Sequence, residues 1–499
     1  MFLWKSAVVL VGLLAIATWP MTMLVRERWE KRYVARLVIC ATLVACLAVS
    51  ALPMLWTQLV FMLLLVACFD RRVPMAGSWL FFFFWTPAAG SLLAVAGAYI
   101  APITPFFFFS LALLLGYLIH PENHLRRRLE MSDIYMLLFI LAFCACMSLR
   151  APPTTIARNI FTYFVPYLLT YQILSRTRIA RPELLLRMML FGAAAAGLLC
   201  LFETVRSWPL YSGIMGVKQD LWTIDSPRVW LLRGGISRAY GPFAHPLTGG
   251  AMLGLAAIGA WGLWQLRGRS GPLAFLGLAT VAGLAATLSR SGLVALAVGI
   301  MVYQMLRGRY LLAVATPLAG LAVLVGLPIL GGADAQFSTD YRLGLITGVP
   351  RALGSHVWFG YREAVGEGLL DIFIQGQGIV DLVNVYLALI VEGGMVSLVL
   401  YILFLLSAFP HYRAIRRLDP DPEQLILARV LIATQAALLL SLALVSSWVA
   451  PMQMSFVMVA LLVALRTELS ATHRTRRAAP LPLVATAPVE EGERLPALP

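Results

Sequence analysis

Of the 499 residues, 60% are hydrophobic and only 13% are charged, yet the formal net charge is +15. Apolar runs long enough to cross a bilayer recur along the chain, which excludes a soluble domain, and the ten-residue alternating segments of a transmembrane β-barrel do not occur. The positive charge is arginine apart from Lys5, Lys31 and Lys218, and it sits in short clusters between apolar runs, so it reads as a topology signal and not as a nucleic-acid surface.

The first stretch, Lys5 to Leu24, lacks a small-residue cleavage site and leads straight into further apolar sequence. It reads as a membrane helix rather than a signal peptide. Basic clusters then punctuate the chain: Arg26 to Arg36, Arg71 and Arg72, Arg126 to Arg128, Arg176 to Arg187, Arg267 and Arg269, Arg307 and Arg309, Arg413 to Arg417, and Arg466 to Arg477. By the positive-inside rule all of them face the cytoplasm. Between them lie lengths suited to two crossings each: 37–69 (broken at Pro53), 77–119, 132–175, 188–266, 272–306 and 310–409, with two more spans near 427–447 and 450–465. The expectation is an all-α polytopic membrane protein of about 12–15 transmembrane helices. The membrane domain covers 1–470, with large periplasmic loops near 204–245 and 331–380. A Pro/Ala-rich tail, 471–499, has no periodic apolar face and reads as disordered on the cytoplasmic side.

Within this frame Tyr163, Tyr167 and Tyr171 recur at helical spacing around Pro166. They read as packing, with a substrate wall as the alternative. The loop at 204–245 carries Trp208, Tyr211, Trp222 and Trp230, either an interfacial belt or flat faces for a sugar. All six cysteines fall in apolar runs and read as packing residues, and no His, Cys or Asp cluster has metal-ligand spacing, so neither metal nor cofactor is expected.

Three arginine-bearing segments fall on the outer side. The first, ISRAYGPFAHPLTGGAMLG, places Arg238 before a turn and a helix start at Pro246; an arginine beside a helix amino terminus suits an anion. The second is Ser289-Arg290-Ser291-Gly292. The third is the long polar stretch from Gly331 to Glu392, with Arg342, Arg351, Arg362, His356, Asp381 and Asn384. For each arginine alone the alternative is snorkelling to lipid phosphate; together, outer arginines run against the topological bias, and a phosphate larger than an ordinary headgroup is their natural partner.

The order Arg-x-x-Gly-x-Phe-x-x-Pro (Arg238 to Pro246), Ser-Arg-Ser-Gly (Ser289 to Gly292) and Asp-x-x-Asn-x-Tyr-Leu…Glu-Gly-Gly (Asp381 to Gly394) resembles the O-antigen ligase and polysaccharide polymerase superfamily. The resemblance covers roughly residues 150–410. It implies a GT-C-like glycosyltransferase of the bacterial inner membrane, active on the periplasmic face without metal or cofactor. Its donor would be an undecaprenyl-pyrophosphate-linked saccharide and its acceptor a second saccharide. Membrane lipids and a chain-length regulator or flippase would be its other partners. Arg238 and Arg290, with Arg342 and Arg351, would hold the pyrophosphate, and Asn384 and Tyr386 would touch other parts of the substrate.

Ligases of that family carry a histidine before the residue matching Asn384; here Val383 stands there. A valine takes no proton, so Asp381, His356 or His245 would have to act as base. The alternative for Asp381 is a helix cap, and for Glu392 a structural carboxylate. Together with the phrase GQGIVDLVNVYL, the lost histidine favours a polymerase over a ligase. A transporter is the reading from another class, though no internal repeat supports it.

Overall fold

The computed structural model describes residues 3–95, 98–149, 152–211, 214, 218, 221–222, 232–233, 235–243, 245–268, 270–326, 333–374, 380–445 and 449–478. The helices, in chain order, are α1 (Leu3–Leu24), α2 (Arg28–Ala48), α3 (Met54–Cys68), α4 (Met75–Trp85), α5 (Pro105–Ile119), α6 (Met131–Met147), α7 (Pro153–Asn159), α8 (Thr170–Leu174) and α9 (Pro182–Arg206). The second half adds α10 (Pro246–Arg267), α11 (Gly271–Ala286), α12 (Arg290–Leu306), α13 (Tyr310–Gly326), α14 (Ala333–Leu353), α15 (Val385–Leu406), α16 (Ala408–Arg417), α17 (Pro422–Leu442) and α18 (Val449–Ala478). Among the described residues, six of these are long and apolar enough to cross a bilayer: α1, α9, α10, α15 running on into α16, α17 and α18. Seven shorter apolar helices accompany them. The chain is a multi-pass α-helical membrane protein.

Most of the basic clusters, scattered over the sequence, are joined to one another by polar contacts at one end of the bundle. Arg36 pairs with Asp70 at 3.0 Å and Arg181 with Glu27 at 3.1 Å, joining the first cluster to the second and the fourth. Arg127 reaches Asp133 at 2.7 Å and the hydroxyl of Ser175 at 2.9 Å. Arg187 and Arg267 both pair with Glu183, Arg307 donates to Gln265, and Arg466 donates to Glu130 at 2.7 Å and to His411 at 3.1 Å. Low dielectric makes such charges costly unless paired, and here each is held by an acid or an amide, most of them from another part of the chain. The helices therefore share one polar end, as the alternation of the clusters requires.

Three parts of the architecture differ from the sequence reading. Residues 77–119 do not form two long crossings: α4 is followed by an antiparallel hairpin, β1 (Gly90–Val95) with β2 (Ala98–Ile103), in register Ser91 opposite Ile103. Pro87, Gly90 and Pro102 disfavour helix there, and β3 (Leu221–Trp222) pairs its backbone with the other side of β1. The stretch read as a loop at 331–380 contains α14, whose Leu345, Val349 and Leu353 recur at four-residue spacing and are buried. The last helix runs past residue 470 to Ala478; the rest of the tail lies outside the described residues. Of the cysteines, Cys46 is exposed rather than packed.

The tyrosine stripe does pack. Between α7 and α8 the chain widens into a π-helix, Ile160–Leu169, around Pro166. Proline lacks an N–H and its ring displaces a carbonyl of the preceding turn. The Pro166 carbonyl accepts from Ser110 and from Gln453 of α18, both at 3.0 Å, so the irregular backbone is satisfied by protein rather than left in hydrocarbon. Tyr167 packs on Phe456, and Tyr171 on Phe404 with its hydroxyl on Ser132 at 3.0 Å.

The shared basic end predicts the accessibility of two exposed side chains. In a cysteine-free background, cysteines at Leu129, beside the arginines, and at Ile372, between α14 and α15, are expected to react with an impermeant maleimide from opposite sides of the membrane. Labelling from the same side would break this topology.

Candidate functional site

The other end of the bundle is organised by one acid. Glu203, in the last turn of α9, is 2% exposed. Its Oε1 accepts from Leu210 N at 3.1 Å, and its Oε2 from Tyr240 N at 3.3 Å and Gly241 N at 2.9 Å. Both ends of the segment connecting α9 to α10 are thus tied to one carboxylate. Gly241 has φ 54°, and a side chain there would press on Cys200 Sγ. Lys218, in the middle of the segment, donates to Ser50 O at 3.3 Å, Leu52 O at 2.5 Å and Thr57 Oγ1 at 2.8 Å, closing the turn between α2 and α3.

Pinned in this way, the segment lies on the carboxyl end of α11. Ala286 O accepts from Ala239 N at 3.1 Å and from Thr204 Oγ1 at 2.9 Å. Thr287 O accepts from Arg238 Nε at 3.1 Å, and Leu288 O from Arg233 Nη1 at 2.6 Å. Two guanidinium groups therefore cap the negative pole of that helix, the favourable end for a cation. Arg290 opens α12 just beyond, with Ser289 capping the helix by accepting from Gly292 N at 3.3 Å. A cation at this pole is disfavoured, so Arg290 has no reason in helix stability to be there.

The glycines of the two motifs bring these arginines together. A Cβ on Gly250 of α10 would strike Ser289, and one on Gly254 would come within 2.6 Å of Gly292 O. Only bare backbones allow α10 and α12 to approach so closely. Arg238 and Arg290 feel each other's charge, as do Arg238 and Arg233. From α14, Arg342 lies in the field of Arg290 and of Asp381. Burial, then Arg233 and Arg290, bring Arg238 down to about 10; burial and Arg290 lower Arg342, and Asp381 opposes this. Both carry buried N–H groups with no acceptor: Nη2 of Arg238 and Nε of Arg342. Four guanidinium groups and one carboxylate share this corner.

His245 lies at its edge as the amino cap of α10, Nδ1 accepting from Leu247 N at 3.2 Å. Burial, then Arg238, push its imidazole down to about 4 from 6.5, so it is neutral near pH 7 with its proton on Nε2. That disposes it to donate a proton-bearing N–H, not to act as a base. The other residues expected from the sequence are placed differently. Arg351 is exposed, nine residues beyond Arg342 on α14, about 13 Å along the helix and on its opposite face. His356 stacks on Tyr361 at 4.7 Å and lines a separate cavity of about 470 Å³ with Arg362, Glu363 and Glu367; none of the clustered arginines borders it. Asn384, not Asp381, caps the span: its Oδ1 accepts from Tyr386 N at 2.9 Å. The Asp381 carbonyl accepts from Tyr341 Oη at 3.1 Å, and Tyr386 spends its hydroxyl on Leu439 O at 2.6 Å. Val383 is buried.

The spacing from Asn384 to Gly394 has a structural meaning. Asn384 starts α15 and Gly394, at φ 72° and ψ 175°, breaks it. The gap is filled by the 3₁₀ segment after α14: Tyr361 N donates to Val391 O at 2.6 Å and Val396 N to Trp358 O at 3.3 Å. Just before the break, Oε2 of Glu392 is buried without a partner, in the field of Arg362. In the aromatic loop, Tyr211 is buried with its hydroxyl on Trp85 O at 3.2 Å and offers no face to a sugar, whereas Trp208 is half-buried beside Phe202. Trp230 lies outside the described residues, and of Trp222 only the backbone is described.

Among the described residues no three His, Cys, Asp or Glu side chains come together in a way that could hold a metal ion. Sequence reasoning missed Glu203, Lys218 and Arg233. An acid at the end of an otherwise apolar span and one of only three lysines were the available signals. No protein-family model matches the chain, and no curated protein matches it.

Two outcomes are expected. Glu203→Leu leaves three buried N–H donors without an acceptor and should cost about 2–4 kcal/mol in denaturant unfolding, with Glu203→Gln intermediate; unchanged stability in Glu203→Leu would remove the pin. His245 titrates lower folded than unfolded, so stability should fall as pH drops from about 6.5 toward 4. His245→Asn, which keeps a cap, should flatten that slope; an identical slope would discount the imidazole.

Proposed function

We propose that the chain is a glycosyltransferase of the bacterial inner membrane, GT-C-like, with its site on the periplasmic face. It would join undecaprenyl-pyrophosphate-linked repeat units into exopolysaccharide or O-antigen. The observation that carries this reading is the corner of Arg233, Arg238, Arg290 and Arg342, in which Nη2 of Arg238 and Nε of Arg342 are buried without an acceptor. Like charges gathered in a partly buried corner repel one another, so such a cluster calls for an anion of several charges. A pyrophosphate at the end of a lipid fits both the charge and the membrane setting.

On this reading an acceptor hydroxyl attacks the anomeric carbon, the bond from that carbon to the phosphate oxygen breaks, and the pyrophosphate leaves with the electron pair. The guanidinium groups stabilise that growing charge from fixed positions. The hydroxyl proton passes to a carboxylate, for which Asp381, whose charge acts on Arg342, is the candidate. The neutral His245 would donate to a phosphate oxygen. The buried Val383, where ligases place their histidine, favours polymerisation over transfer to a lipid core.

Deletion of the gene, followed by analysis of lipid-linked saccharides, tests the reading. Accumulated single repeats without polymer support it; accumulated lipid-linked polymer means a ligase; unchanged glycans dismiss it. At the site, Arg238→Lys and Arg290→Lys are expected to lose about 10²–10³ in rate, because an ammonium lacks the fork that grips two phosphate oxygens. Arg128→Lys, in a basic cluster at the other end, should be nearly silent. Full activity of both lysine variants, measured in lipid at matched expression, would end the phosphate-grip mechanism.

A further inference from the structure

At the opposite end from the arginine corner, a groove of about 340 Å³ opens between α2 and the turn from α3 to α4. Trp29, Arg32, Tyr33 and Arg36 line it at positions i, i+3, i+4 and i+7, hence from one helix face. Asp70, Arg71 and Arg72 form its other wall. Four guanidinium groups thus meet one carboxylate, and that carboxylate is already engaged, by Arg36 Nη2 and by Arg72 N, each at 3.0 Å. Arg72 and Arg181 stand over the Trp29 ring, at 5.7 and 4.7 Å from its centre, and Arg36 over Tyr33 at 5.7 Å. Arg36 Nε is buried and has no acceptor. Glu27 and Glu122 stand nearby without lining the groove.

The same face of α2 continues away from the arginines as an exposed apolar stripe, Ile39 at 61% and Leu43 at 44%. Positive charge beside aromatic rings, followed along one helix by exposed aliphatic side chains, is the profile of a phospholipid: an anionic headgroup at the interface and a chain lying below it. A free phosphate would use the first half of this surface and not the second.

We propose that this groove is a binding site for an anionic phospholipid, its phosphate held by Arg32, Arg36 and Arg71 and an acyl chain lying on Ile39 and Leu43. The site is separate from the arginine corner and does not depend on what reaction occurs there.

The test uses the purified full chain in detergent, native mass spectrometry, and phosphatidylglycerol against phosphatidylcholine and inorganic phosphate. Wild-type protein should retain phosphatidylglycerol at collision energies that strip phosphatidylcholine. Arg32→Gln with Arg71→Gln, both exposed and outside the ion pair with Asp70, should lower that retention about tenfold or more. Arg416→Gln with Arg417→Gln removes the same charge from another exposed basic cluster and should retain the lipid. Equal retention of both lipids, or equal loss in the two double variants, overturns the proposal. Thermal stabilisation by inorganic phosphate equal to that by phosphatidylglycerol also overturns it, assigning the groove to a free anion.

Discussion

The polar end of this protein that faces away from the basic clusters depends on a carboxylate buried at the tip of an apolar helix. Glu203 accepts three backbone N–H bonds from two points that are 30 residues apart in the chain. Without it, the two ends of the connection from α9 to α10 would lose their common anchor. With it, Arg238 and Arg233 are laid against the carbonyls that end α11. The bare contact of Gly250 and Gly254 with the start of α12 then sets Arg290 against them. A charge-accepting surface here is a consequence of one satisfied acid and a few missing side chains.

The sequence discloses this arrangement unevenly. Convergence of Arg238, Arg290 and Arg342 could be anticipated, because positive charge on the side opposite the clusters contradicts the topology rule and so points to a partner. The common polar end was equally legible, since its residues repeat between every pair of crossings. Glu203 was not, because a single acid in an apolar run has no pattern, and its partners are backbone groups that any sequence supplies. Arg351 and His356 illustrate the opposite error. They share a polar stretch with Arg342, but α14 intervenes, and a helix turns residues nine apart to opposite faces. Proximity in the sequence misled where a regular element hid inside an apparent loop.

The motif from Asn384 to Gly394 shows a further limit. In the sequence it reads as a motif of fixed spacing; in the fold the asparagine caps a helix and the glycine breaks it, with Trp358 and Tyr361 supplying the lost backbone bonds. In hydrocarbon an interrupted helix is tolerable only where protein satisfies the freed groups. A break of this kind, with Glu392 just before it and the π-helix of Tyr163 alongside, is the sort of irregularity that a pattern of hydrophobicity cannot encode.

The two ends of the molecule use the same residue in different ways. At the clustered end arginines face carboxylates: Arg127 with Asp133, Arg187 and Arg267 with Glu183, Arg466 with Glu130. These ion pairs join helices, Arg267 of α10 to Glu183 of α9 and Arg466 of α18 to Glu130 before α6. At the other end Arg233 and Arg238 are held by carbonyl oxygens. A carbonyl dipole fixes a guanidinium group in direction without cancelling its charge. Replacing those carbonyls by carboxylates would hold the arginines as firmly and silence them. Fixed orientation with surviving charge is the condition for stabilising an anion that forms during a reaction, since no dipole then has to turn when the charge appears.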